Sequence, residues 1–218
     1  TEGSPCKIVQ VFVETPLIWG IHVAGKSAFK HLSDLKGRQA AISRYGSGSH
    51  LMAYVNAQNL EWDTVKDLQF EVVKDLDGAV EALTHQKADY FMWEKFTTKP
   101  FVDQKIFRRL GDCPTPWPCF VLAVRDEFIT NEKETLKVIL KVINSITAGF
   151  KHIPKIDTII SERYRQKNED VKNWLALTEW SQQNIQATTV EAVQDQLLKL
   201  DIISKKIPFE QLVTNLDD

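Results

Sequence analysis

The chain has 218 residues, 43% of them hydrophobic and 26% charged, with a formal net charge of -2. That length supports one large domain or two lobes sharing a hinge, and the balance leaves no basic excess to draw the protein onto DNA or RNA. No apolar run reaches the roughly 18–20 residues of a membrane-spanning helix; the best, 138–146, is interrupted by Lys141 and Asn144, so no membrane insertion of this chain is expected.

Residues 7–13 set Ile8, Val9, Val11, Phe12 and Val13 around Gln10, the pattern of a largely buried strand, and Glu14-Thr15-Pro16 breaks it. A second apolar strand is expected over 17–23, closed by Gly25-Lys26-Ser27 and followed by an amphipathic stretch at 31–35 and a turn at Lys36-Gly37. A short strand over 39–43 then runs into Arg44-Tyr45-Gly46-Ser47-Gly48-Ser49-His50, after which Leu51, Met52, Tyr54, Val55 and Leu60 recur at helical spacing. The pattern repeats with a strand over 68–73, a helix opened by Asp77 and a strand over 88–93. Strands alternating with short helices predict a parallel sheet covered on both faces, and this α/β lobe is placed at 27–107.

Strands at 107–111 and 119–124 flank Pro114-Thr115-Pro116-Trp117-Pro118, which cannot be regular helix and reads as a crossing. Beyond it the pattern is helical. Asn131 with Glu134 suggests a capping box, and Leu136, Ile139, Leu140, Ile143 and Ile146 suggest one apolar face. Further helices are expected at 156–164 and 171–180, and through Val190, Val193, Leu197 and Leu200 behind a Thr188/Glu191 capping box; Pro208 suits the first turn of a last one. Residues 1–26 and 108–218 thus make the other lobe with its hinge and C-terminal helices. Its strands are too few for a stable sheet by themselves, which predicts further strands from upstream of Thr1.

The segment from Ser43 to His50 carries the functional reading, because it stands where a parallel strand hands over to a helix. Gly46 and Gly48 permit tight turning and close backbone approach, while free N–H groups of the first helical turn and the Ser47 and Ser49 hydroxyls suit an anionic or strongly polar group. Arg44 adds a bidentate clamp. An ordinary N-capped helix, whose Gly and Ser only make a turn, accounts for the same residues equally well. The three cysteines, Cys6, Cys113 and Cys119, fit reduced thiols without a nucleophile, a Cys113–Cys119 bridge being the alternative. His22, His31, His85 and His152 show no ligand spacing, so neither a metal nor a cofactor is assigned, and no catalytic set assembles from spacing alone.

Leu32-Ser33-Asp34-Leu35-Lys36-Gly37-Arg38, a short strand, and Gly46-Ser47-Gly48-Ser49-His50 together resemble the corresponding passage of type II periplasmic binding proteins of the sulfonate, nitrate and taurine class. The likeness continues through residues 77–82 and Ala88-Asp89-Tyr90. It implies a two-lobed fold, each lobe a three-layer αβα sandwich, joined by a two-segment hinge, with a small ligand held between the lobes and delivered to an ABC-type permease. It also turns neutral residues into candidate ligand contacts: Trp93 and Glu94 at the end of a strand, with Trp19 and Trp117 beside the crossings ranked lower, as hinge packing. The same resemblance extends to enzymes, the fungal thiamine-pyrimidine synthases and menaquinone-pathway dehydratases, and to effector domains of transcriptional regulators. An enzyme of cofactor biosynthesis is therefore the second reading. A transport role implies a periplasmic or membrane-associated location and free cysteines a cytoplasmic one, and the sequence assigns neither.

Overall fold

The computed structural model describes residues 4–216. The chain opens with strand β1 (Cys6–Val13) and then enters an inner run of β2 (Ile18–Ala24), β3 (Gln39–Ile42), α1 (Gly48–Asn59), β4 (Gln69–Val72), α2 (Leu76–Thr84), β5 (Tyr90–Glu94), α3 (Lys99–Asp103) and β6 (Phe107–Pro114). After it come β7 (Phe120–Arg125) and the helices α4 (Asp126–Asn131), α5 (Lys133–Gly149), α6 (Ile156–Tyr164), α7 (Asn168–Leu177), α8 (Ala187–Lys199) and α9 (Phe209–Leu212). Backbone contacts divide the chain into an inner unit, Leu17–Thr115, and an outer unit, Thr1–Pro16 with Pro116–Asp218.

The inner unit is built on a five-stranded sheet of order β4-β3-β5-β2-β6. The parallel pairing expected from the strand–helix alternation holds for β4, β3 and β5 alone; β2 runs antiparallel to both β5 and β6, so the sheet is mixed. This also corrects the lobe boundaries. The sequence reading put the second strand, 17–23, and everything after 107 in the other lobe, whereas β2 lies inside the inner sheet with Ile21, His22 and Val23 fully buried, and β6 is its edge. A strand hydrogen-bonded on both sides needs both partners in the same unit. The ends of the unit are tied together, Leu17 N–H donating to Thr115 Oγ1 at 3.0 Å and Thr115 N–H to the Leu17 carbonyl at 2.9 Å.

One face of this sheet is closed by α2, whose small residues Ala79 and Ala82 pack with Ala41, Val73, Leu83, Ala88, Phe91 and Phe107. The Asp75 side chain caps α2 by accepting from Gly78 N–H at 2.9 Å. A Cβ at Gly78 would stand 1.9 Å from the Val73 carbonyl oxygen, so the helix starts this close to β4 only because the position is glycine.

In the outer unit β1 pairs antiparallel with β7. Val11 packs with Ile185, Val190 and Val213, while Val9 packs with Leu136 and Leu216. Neither expected capping box forms. Asn131 is the last residue of α4, α5 starts after Glu132, and α8 starts after Gln186, which puts Thr188 inside its first turn; none of these starts has a side-chain cap. A four-residue capping signature is local and is read without the packing around it, here that of Phe128 and Ile129 against the Val9 cluster. The apolar residues of α5 do not form one buried face either: Leu136 is buried, whereas Val138, Ile139, Val142 and Ile146 are exposed.

Candidate functional site

The site is assembled at the C-terminal edge of the parallel strands in the inner unit. Ser47 is the N-cap of α1, in extended conformation, and its Oγ accepts from His50 N–H at 3.3 Å. Gly46 turns the chain into the helix at φ +74°, a left-handed value that favours glycine. The three serines interlock. Ser49 Oγ accepts from Ser43 N–H at 2.9 Å and lies 3.1 Å from Ser47 Oγ and 3.4 Å from Ser43 Oγ, with Ser47 and Ser49 both buried. Their hydroxyls therefore hold the end of β3 to the start of α1 rather than projecting to solvent. What the helix start presents outward is Gly48, which is exposed and whose N–H, the first of α1, has no intrahelical acceptor. Arg44 is exposed, and its guanidinium makes no hydrogen bond or ion pair among the described residues.

His50 belongs to the same latch. Its Nδ1 accepts from Gly46 N–H at 3.1 Å, and Tyr45, Tyr54 and Phe70 surround the ring with centroids 5.2, 5.1 and 4.7 Å away. Burial holds the imidazole below its ordinary pKa, so the ring is neutral and free to accept. Phe70 comes from β4, so this aromatic collar is a tertiary feature, and sequence reasoning did not identify it.

Trp19, expected beside a crossing as hinge packing, lies against the start of α1. The pairing of β2 with β5 sets Trp19 opposite Glu94 and Gly20 opposite Trp93, at the same sheet edge as α1. A Cβ at Gly48 would stand 2.9 Å from Trp19 Cη2, so the indole lies directly on the helix start. Trp93 meets Trp19 edge-on with ring centroids 6.2 Å apart and stacks on Phe91 at 5.2 Å. Trp19 Nε1 is buried without an acceptor among the described residues. Glu94 sits at the same edge with its carboxylate turned away: Oε1 accepts from Phe96 N–H at 3.0 Å, and Oε2 from Thr97 N–H and Oγ1, both at 2.7 Å. Trp117 belongs to the outer unit.

The edge thus joins the start of α1, with Gly48 exposed and Arg44 four residues before it in the chain, to a wall of two indoles, chemistry suited to an oxyanion carried on a small organic body. Among the described residues no three His, Cys, Asp or Glu side chains converge as metal ligands. Cys6 and Cys113 are free thiols, and burial pushes the Cys113 thiol up to about 11, away from thiolate chemistry.

Residues 19–113 match the model of a protein family described as Ca3427-like PBP, a span that contains the whole edge just described. Solved structures agree on the fold. The chain superimposes on the Candida albicans CA3427 gene product, which exhibits the generic periplasmic binding protein fold, with a TM-score of 0.86 and 22% identity over 98% of this chain and 74% of that one. The alkanesulfonate-binding protein SsuA from Xanthomonas axonopodis pv. citri, solved with bound MOPS, gives a TM-score of 0.75 and 16% identity over 94% of this chain and 72% of that one. The desulfurization enzyme DSZB gives a TM-score of 0.62 and 10% identity over 98% of this chain and 78% of that one. No curated protein matches the chain. The chain therefore has the periplasmic-binding-protein fold, the fold that the resemblance read from the sequence implied.

Proposed function

We propose that this protein is a solute-binding protein that captures a small polar organic anion at the start of α1. The observation that carries the reading is the Trp19 indole lying on the first turn of α1 at Gly48, whose N–H has no intrahelical acceptor, with the exposed Arg44 four residues before it in the chain. The backbone groups and Arg44 hold the anionic end, and Trp19 and Trp93 cover its organic body. The buried serines and His50 keep the loop in shape and do not touch the ligand. Glu94 is left out of the contact set, because its carboxylate is committed to the turn at 94–98 and a second negative charge would oppose an anion. Passing the ligand to an ABC-type permease suits this reading, since an alkanesulfonate-binding protein shares the fold.

Native mass spectrometry of protein purified from its own host tests the proposal. The expected result is a co-purified anion that is lost in Arg44→Ala, with an unchanged unfolding temperature because Arg44 supports no packing. An empty protein, or a ligand retained equally by Arg44→Ala, would sink the assignment. A bound molecule converted on incubation would place the chain with the enzymes of this fold.

A further inference from the structure

The outer unit holds a cavity of about 570 Å³ beside α5 that plays no part in the site above. One stripe of α5 forms its wall, with Lys137, Lys141 and Asn144 spaced to share a face, and Gln10, Gln182 and Asn184 come from β1 and the segment before α8. Its polar lining is made of amides, a serine and the two lysines, with no carboxylate among the lining residues. Lys137 pairs with the exposed Glu134, outside the lining, at 3.3 Å, whereas Lys141 has no ion-pair partner among the described residues.

The floor is built rather than incidental. Gln10 is only 4% exposed. Its Nε2 donates to Asn144 Oδ1 at 2.7 Å and to the Ser181 carbonyl at 3.1 Å, and its Oε1 accepts from Asn144 Nδ2 at 3.0 Å. Gln182 Nε2 donates to the Asn144 carbonyl at 3.3 Å, so a second amide is held on the same helix turn. A strand normally sends neighbouring side chains to opposite faces. Here the β1–β7 register shifts between Ile8 and Gln10, and Val9 and Gln10 both line the cavity. A bulge of this kind re-aims a side chain, and in β1 it brings an amide to a position that simple alternation would give to the other face.

We propose that this cavity is a second ligand site, for a small polyhydroxylated anion: the ammonium groups of Lys137 and Lys141 take the charged end, and the exposed amides of Gln182 and Asn184, above the floor made by the Gln10–Asn144 pair, take the hydroxyls. The site is independent of the reading given for α1.

Isothermal titration of the intact protein at low salt, with glucose 6-phosphate, glucose and inorganic phosphate as probes, tests it. Glucose 6-phosphate binds, and each of the other two binds at least about tenfold more weakly, because each offers only half of the recognised chemistry. Binding is lost in Lys137→Ala/Lys141→Ala and in Lys141→Glu, variants of solvent-reaching side chains whose unfolding temperature stays at the wild-type value, and it is unchanged in Arg44→Ala. No heat with any probe, equal binding of inorganic phosphate, persistence in both lysine variants, or loss in Arg44→Ala each overturns the proposal.

Discussion

His22 shows how a single side chain can be ordered by neighbours distant in sequence. The ring is fully buried on β2, and Thr98 Oγ1, 2.9 Å from its Nε2, can donate to the Glu94 carbonyl at 3.1 Å and so accepts from the imidazole. Burial lowers its pKa from 6.5 to about 4. Since the folded value lies below the unfolded one, the native state binds fewer protons; the contribution of neutral His22 is complete above pH 6.5 and is lost as the pH falls toward 4. Urea unfolding across that window should therefore show stability dropping by up to about 3 kcal/mol in the wild type and staying nearly flat in His22→Gln. Gly20 belongs to the same unit of packing, because a Cβ there would lie 2.6 Å from His22 Cε1. Gly20→Ala is expected to destabilise by about 1–3 kcal/mol, as overpacking in a closed core does.

At the scale of elements, α1 and α2 start in the same way and serve different ends. Each has a side-chain cap, Ser47 for α1 and Asp75 for α2. Ser47→Ala and Asp75→Ala should each cost about 1 kcal/mol in chemical denaturation. Only Ser47→Ala should also weaken capture of the anion, because it is the first turn of α1 on which the Trp19 indole lies; equal effects of the two on binding would mean that the α1 start is merely structural. The start of α1 was legible in the sequence because a glycine turn, a capping serine and a helical apolar spacing all lie within a few residues. The expected boxes at Asn131/Glu134 and Thr188/Glu191 used signals just as local and failed, because such signals are read without the packing around Val9 or the extended backbone at Gln186. The place of Trp19 was not legible at all. It depends on β2 pairing with β5 in one register, across more than seventy residues of chain, and nothing within β2 encodes that partner.

For the whole molecule, the division into two units has a direct consequence. The inner unit is continuous in sequence, has its own core, and has its two ends hydrogen-bonded to each other. Expressed alone, residues 17–115 should fold cooperatively, with dispersed amide resonances and a single urea transition; a fragment without dispersion would mean that its sheet needs the outer unit. The outer unit has a two-stranded sheet, and Val138, Val142 and Ile146 of α5 and Phe120 of β7 stand exposed on its elements.

Composition, the alternation of strands with helices, and the glycine–serine turn before α1 determined the fold class and the capped start of α1, because short-range periodicity and capping chemistry are written in neighbouring residues. Only the tertiary structure decided that β2 lies antiparallel inside the inner sheet, that Trp19 covers Gly48, that Glu94 serves its own turn, and that Gln10 meets Asn144. Each of these is a contact between segments far apart in the chain, set by register and burial, which no local pattern specifies.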